Sequence, residues 1–108
     1  MVRQIRPEDV KAKLDAGEPV YLLDVRQPEE HAYCRLPGSH LIPLGELPSR
    51  AGEVDPPAGA AVVVYCHHGI RSLSGAAILR QFGHETVYSL AGGIDAWSAR
   101  IDPSVPRY

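Results

Sequence analysis

Five consecutive residues, Ala61 to Tyr65, are apolar and favour extended backbone, with no polar alternation among them. A strand open to water on one face alternates, so an unbroken run predicts a strand covered on both faces, as in a parallel sheet flanked by helices. The run ends on Cys66, at the carboxyl edge of its strand, where open α/β folds gather their ligands. From Ser72 the pattern becomes helical. Gly75, Ile78, Leu79 and Phe82 define one stripe, with Gly83 as a left-handed cap beyond it. The polar stretch from Cys66 to Arg71 therefore joins a strand end to a helix start.

Such a position acts on a thiol. The first turn of a helix leaves N–H groups unpaired and carries a partial positive charge, so an anion in front of it is stabilised. Gly69 lets the loop curl until successive amides point inward, and Arg71 adds a permanent positive charge. Both effects favour thiolate over thiol. Cys66 is therefore expected to be a nucleophile whose adduct lies in a cradle of the backbone amides of His67, His68, Gly69, Ile70 and Arg71, with Ser72 as a supporting residue. The alternative is a buried cysteine packed as a small hydrophobe. It suits the polar, glycine-containing loop less well.

The flanking segments alternate strand and helix. Val2 to Ile5 reads as a short edge strand, and Pro7 opens a short helix with Val10, Lys13 and Leu14 on one face, ending near Ala16. Val20 to Val25 is a second covered strand, closed by Asp24 and Arg26 at its carboxyl end. Gln27 to His31 forms a proline-started turn, Ser39 to Ile42 a short strand, and Leu44 to Ala51 a short helix broken by Pro48. Thr86 to Leu90 reads as the last strand. Gly92 and Gly93 then allow backbone to approach the loop at Cys66 closely, and Ile94 to Ala99 is a terminal helix with Trp97 in the core. The alternation predicts an α/β fold with a mainly parallel sheet and helices on both faces.

At 108 residues the chain is expected to be a single domain, 1–108, with an irregular tail over about 102–108 that crosses the surface. The formal net charge of -2 gives no reason to expect nucleic acid or an anionic membrane as a partner. No signal-peptide pattern or membrane-length apolar run is present, which makes the cytoplasm the expected compartment. The two cysteines, Cys34 and Cys66, sit in unlike contexts and do not form a disulfide framework. Cys34 is either a resolving thiol for an oxidised Cys66 or an incidental residue of a surface loop, and the second reading is favoured.

Tyr65-Cys66-His67-His68-Gly69-Ile70-Arg71-Ser72, followed by Tyr88-Ser89-Leu90-Ala91-Gly92-Gly93-Ile94-Asp95-Ala96-Trp97, resembles the active-site loop and C-terminal signature of the rhodanese-like sulfurtransferases. Leu23-Asp24-Val25-Arg26 and Leu36-Pro37-Gly38-Ser39-His40-Leu41-Ile42-Pro43 are similar to the N-terminal half of that family. Four motifs in the right order cover the chain from about Val20 to Trp97. One departure stands out: Cys34-Arg35 replaces a Gly-His pair common in the family, although the Pro37-Gly38 turn is kept. Ile42-Pro43-Leu44-Gly45-Glu46-Leu47-Pro48-Ser49-Arg50 is similar to rhodanese domains appended to enzymes that activate sulfur-carrier proteins.

The resemblance implies a five-stranded rhodanese fold and a thiosulfate sulfurtransferase. In that chemistry Cys66 takes the outer sulfur of thiosulfate or a persulfide, holds it as a persulfide, and passes it to cyanide or a thiol, with ping-pong kinetics and no metal or organic cofactor. A sulfur-carrier or thioredoxin-like protein is a candidate partner. Arg71 is expected to hold the donor's negative charge or to pin the loop through carbonyls. His67 reads as a rim residue that sets donor choice, and His68 as either rim or acid/base group. Asp24 and Arg26 either help frame the site or hold the architecture, Asp24 by anchoring loop amides and Arg26 by pairing with Glu29 or Glu30, and the second reading is favoured.

Three other classes compete. Phosphatases and arsenate reductases of related fold carry Cys-x5-Arg; this chain has Cys-x4-Arg, a smaller ring suited to a single sulfur. A non-catalytic interaction module is the second class, since related folds also occur with the cysteine lost; here the cysteine and its loop are present, which argues for activity and leaves a sensor or carrier role open. A metal site on Cys66, His67, His68 and Cys34 lacks the paired spacing of zinc ligands.

Overall fold

The strand over Ala61–Tyr65 is buried along its whole length and lies at the centre of a five-stranded sheet in the computed structural model, which describes residues 2–108. In chain order the elements are β1 (Arg3–Ile5), α1 (Pro7–Asp15), β2 (Val20–Asp24), α2 (Pro28–Tyr33), β3 (His40–Leu41), α3 (Leu47–Arg50), β4 (Ala61–Tyr65), α4 (Arg71–Gln81), β5 (Val87–Leu90) and α5 (Gly93–Arg100). The strands stand in the order β1-β5-β4-β2-β3, and every neighbouring pair is parallel. The sheet is thus wholly rather than mainly parallel. Because all strands point one way, the residues that follow β2, β4 and β5 meet along one edge. Among the described residues no helix is long and apolar enough to cross a membrane.

Strand periodicity divides the core in two. Tyr21, Leu23, Val25, Val62 and Val64 pack with Leu47 of α3 and Ala76 and Leu79 of α4. Leu22, Val63, Tyr65 and Leu90 pack on the other face with Val10 of α1 and Ile94 and Trp97 of α5. Helices therefore cover both faces, and Trp97 lies in the core as expected.

Three expectations need correction. The buried stripe of α4 is Ser72, Gly75, Ala76 and Leu79, whereas Phe82 is 56% exposed. Gly75 sets this rotation: a Cβ there would lie 3.0 Å from Val64 Cγ1, so a small residue makes the closest approach to the sheet, Leu79 follows it into the core with Ile78 partly buried beside it, and Phe82 turns out. Leu79 still accepts the amide of His84, and Arg80 that of Gly83, whose φ is 99°; this Schellman closure is the glycine stop read from the sequence. Pro48 does not break a helix. It stands in the first turn of α3, where a missing N–H costs nothing, and a 3-10 turn over Leu44–Glu46 precedes it. Finally, Cys34 is no surface-loop residue: it is buried with the group that packs on α1 and α5, while Cys66 packs with the opposite group. The sheet separates the two thiols, so Cys34 is not placed to resolve Cys66.

The segment with the unusual Cys34-Arg35 keeps its backbone path. Ser39 donates its amide to the Leu36 carbonyl across Pro37-Gly38, and the Leu36 amide and Ser39 hydroxyl both meet the Tyr65 hydroxyl of β4. Arg35 points to solvent. The tie to β4 therefore holds this turn independently of the residue at 35.

Candidate active site

Cys66 leaves β4 pointing at the first turn of α4, and only 1% of it is exposed. The amides of Gly69 and Ser72 donate to its Sγ at 3.1 and 3.4 Å. The Ser72 hydroxyl stands 3.5 Å from the sulfur and 2.7 Å from Ser89 Oγ, a buried partner on β5. Of the cradle expected over His67 to Arg71, the Gly69 amide reaches the sulfur, and the second donor is Ser72, one residue further on. Ser72 is thus a direct contact of Cys66. A sulfur anion here meets two N–H dipoles at a helix N-terminus, fixed before any substrate arrives.

Glycines make this loop possible at two points. Gly69 has φ 97° and sits against Gly92, where a Cβ would come within 3.1 Å of the Gly92 nitrogen. Gly93 has φ 63°, and a side chain there would overlap the carbonyl groups of Cys66 and His67. Those two carbonyls accept the amides of Ile94 and Asp95 at 2.9 and 3.1 Å, so the first turn of α5 grips the active loop from behind. The close approach read from Gly92-Gly93 is present. Gly93→Ala must adopt a left-handed conformation and push the loop away, at a combined cost of about 2–4 kcal/mol. A thermal melt of that variant is expected to shift markedly downward, and an unchanged melt would show that the loop yields freely.

Arg71 does not stand free to hold an anion, nor does it pin loop carbonyls. Its guanidinium forks onto Glu30, with Nη1 2.8 Å from Oε1 and Nη2 3.0 Å from Oε2. Arg26 pairs with neither Glu29 nor Glu30. It is fully buried, and its Nε and Nη2 meet Asp24 at 2.9 and 2.7 Å, while Nη2 also reaches the Cys34 carbonyl. Burial works against the Arg26 charge, but the bonds to Asp24 and to the Tyr108 hydroxyl outweigh it and hold its pKa above the ordinary value. Asp24 does anchor a loop amide, that of Arg26 at 2.9 Å, and also meets His31 Nδ1 at 2.8 Å. The reason for the exchange of partners is local: Asp24 precedes Arg26 by two residues at a strand end, whereas Glu30 is turned toward α4 by its capping bond to the Gln27 amide.

The residue that sequence reasoning missed is Tyr108. The tail from 102 to 108 has no helix or strand, as expected, but it does not merely cross the surface. Ser98 Oγ donates to the Val105 carbonyl at 2.7 Å, Val105 is buried, and Arg107 forks onto Asp95 at 2.9 and 3.1 Å. Tyr108 then accepts from Arg26 Nη1 at 2.8 Å and donates to Glu30 Oε2 at 2.7 Å. Its ring lies flat on His67, with centroids 3.8 Å apart and planes 6° from parallel. Burial, opposed by the Arg26 bond and aided by Glu30, pushes the Tyr108 hydroxyl up to about 12, so it remains a donor at working pH. No periodicity in an irregular, proline-containing tail signals such a return.

His67 is sandwiched, with His68 3.8 Å away on its other side. Burial first and His68 second lower its pKa, which favours the neutral imidazole. His68 is exposed at the rim, with Nε2 4.0 Å from Asp95 Oδ2. Among the described residues, the ligating atoms of His67, His68 and Asp95 lie within 4.8 Å of one another, so these are the side chains that could hold a metal ion; Cys66 and Cys34 are not in the group. Asp95 is already forked by Arg107, so both of its oxygens have a cationic partner. Ile70 is 76% exposed and forms an apolar rim beside the loop.

The Glu30 carboxyl is held at about 2, chiefly by Arg71. Because this folded value lies below the ordinary carboxylate near 4.3, the pair stabilises the fold above about pH 4.3, and the contribution is lost as pH falls toward about 2. Glu30→Gln is expected to flatten that acid limb in urea unfolding across this range. An identical acid limb in the variant would assign it to other carboxylates.

Comparison with known proteins adds to this geometry. The Rhodanese-like domain family matches over residues 6–100. A protein from Allochromatium vinosum named sulfurtransferase is 38% identical over 105 residues, which span 97% of this chain and 96% of that one. The probable adenylyltransferase/sulfurtransferase MoeZ of Mycobacterium tuberculosis is 33% identical over 104 residues, and there the chain spans only 26% of the relative's length. Among solved structures, a rhodanese-related protein from Thermoplasma volcanium superposes with a TM-score of 0.81 at 28% identity, covering 98% of this chain and 99% of that one.

Proposed function

Because the chain belongs to the rhodanese-like domain family of sulfurtransferases, we propose that it moves a sulfane sulfur from thiosulfate or a persulfide to a nucleophilic acceptor through a Cys66 persulfide. The observation that carries this reading is the pair of amides, Gly69 and Ser72, aimed at Sγ in front of α4. They favour the thiolate as attacking group and then the anionic persulfide as resting product.

In the first half-reaction the Cys66 thiolate attacks the outer sulfur of the donor. The sulfur–sulfur bond of the donor breaks, its electron pair leaves on sulfite or on a thiolate, and Cys66 keeps one added sulfur. In the second, cyanide or a thiol attacks that terminal sulfur and the pair returns to Cys66. No oxidant, metal or organic cofactor enters the balance. One covalent intermediate shared by two half-reactions implies ping-pong kinetics. A thiol on a sulfur-carrier or thioredoxin-like protein suits the exposed Ile70 rim as acceptor, and the cytoplasm is the compartment in which such thiols stay reduced.

Intact-protein mass spectrometry under non-reducing conditions tests the reading. Incubation with thiosulfate or with glutathione persulfide is expected to add one sulfur, which cyanide removes. No gain with either donor, together with turnover of p-nitrophenyl phosphate, would replace it with phosphate chemistry.

A further inference from the structure

We propose that Glu30 sets the donor class at Cys66: by seating both carboxylate oxygens on the Arg71 guanidinium, it cancels the cation of the active loop and turns the site from dianionic thiosulfate toward persulfides of at most one negative charge. This rests on the sulfur-transfer reading above and names the donor that the reading leaves open.

A guanidinium five residues after the nucleophile would ordinarily be the group that collects an anionic donor. Here its fork geometry is taken by a carboxylate that is itself held from two further sides. Gln27 donates its amide to Glu30 Oε1 at 3.0 Å, and Tyr108 donates its hydroxyl to Oε2 at 2.7 Å. For Arg71 to turn to a substrate, a carboxylate only 20% exposed would have to lose its counter-charge. The carboxyl also stays ionised at any working pH, since Arg71 holds it at about 2. The neighbouring guanidinium groups are committed in the same way, Arg26 to Asp24 and Arg107 to Asp95. Burial, then the neighbouring His68, disfavour a charge on His67. The local charges therefore close in pairs, and a dianion entering beside them gains no net attraction.

Beside His68, what the rim offers is apolar. Ile70 at the loop tip is 76% exposed, Tyr33 59% and Leu73 of the first α4 turn 36%. Such a rim accommodates the organic carrier of a persulfide. The Cys66 thiolate attacks the outer sulfur of the protonated persulfide, its sulfur–sulfur bond breaks, and the carrier leaves as a thiolate; charge is the same on both sides of the step.

The test compares kcat/KM for thiosulfate and for the persulfide of 2-mercaptoethanol, with cyanide as acceptor, in the wild type and in Glu30→Gln. The wild type is expected to favour the persulfide by at least about tenfold, and Glu30→Gln to raise kcat/KM for thiosulfate by at least about tenfold through KM, leaving the persulfide within about threefold. The gain should shrink at high salt. Tyr108→Phe, which releases one bond to Glu30 but removes no charge, should not reproduce it. A parallel fall for both donors in Glu30→Gln, or an unchanged thiosulfate constant, would overturn the assignment and leave Glu30 a structural partner of Arg71. Should the variant not fold, the wild type alone decides: a thiosulfate kcat/KM that falls steeply with salt reveals an uncancelled cation and overturns the proposal, and a flat profile supports it. Absence of any Cys66 persulfide with either donor is a different failure, since it removes the sulfur-transfer reading itself.

Discussion

Cys66→Ser is expected to lower sulfur transfer by at least about 10⁴-fold while leaving the fold in place. The size follows from what the site keeps and what it loses. The Gly69 and Ser72 amides remain aimed at the same point, and the helix N-terminus still favours an anion there. A serine hydroxyl, however, is not ionised at neutral pH and is a weak nucleophile toward sulfur, so two preorganised dipoles have no thiolate to stabilise. The substitution is nearly isosteric, and Cys66 packs with Val25, Val64 and Ala76 as a small group, so the cost to stability is small. Turnover with cyanide, read beside a thermal melt, checks both halves. Residual turnover within about tenfold of wild type would mean that the sulfur is carried elsewhere. A collapsed melt would instead mean that Cys66 is mainly a packing residue.

Asp24→Ala is expected to destabilise the fold by about 3–5 kcal/mol, a large share of the stability of a domain this size. Both members of the Asp24–Arg26 pair are without solvent exposure. Deleting the carboxylate leaves the Arg26 guanidinium buried with only neutral partners, the Tyr108 hydroxyl and the Cys34 carbonyl and sulfur. The Arg26 amide and His31 Nδ1 lose an acceptor at the same time. Urea unfolding reads the loss, and turnover at low temperature, where the variant still folds, should fall far less than stability does. The double change Asp24→Leu with Arg26→Met is expected to recover part of the loss, because it removes the stranded charge along with the pair. If the double variant is no better than the single one, then the hydrogen bonds, not the uncompensated charge, account for the effect.

How far the site could be read in advance differed from residue to residue. The strand before Cys66, the helix after it and the glycine stop at Gly83 each follow from local pattern: unbroken apolar residues, a change of period, and a residue tolerant of positive φ. The need for Gly93 was legible for the same reason, since only glycine admits backbone so near to a loop. The stripe on α4 departs from the hydrophobic pattern at Phe82 because size as well as hydrophobicity decides which residues meet the sheet. Close approach to Val64 and Val25 selects Gly75 and Ala76 for the sheet and leaves Phe82 in water.

Charge partners were the least legible. Arg26 has Asp24, Glu29 and Glu30 within four residues, whereas no acid lies between Asp55 and Glu85 around Arg71, so sequence spacing cannot say which carboxylate faces which guanidinium. The pairing is decided by where the end of β2 and the first turns of α2 and α4 meet in space, a long-range contact between residues 30 and 71. Tyr108 is the extreme case: an irregular tail has no period, and its return to Glu30, Arg26 and His67 depends on Val105, Ser98 and the Arg107–Asp95 pair acting together.

The succession of strands and helices along the chain, the cysteine at the end of β4 and the loop that presents it were determined by the sequence alone, because each depends on the residue's own conformational preference and on neighbours within a few positions. The cancellation of Arg71 by Glu30, the seating of Tyr108 over the site and the separation of Cys34 from Cys66 were decided only by the tertiary structure, because electrostatic and packing energies depend on distance in space, which the chain sets only once it has closed.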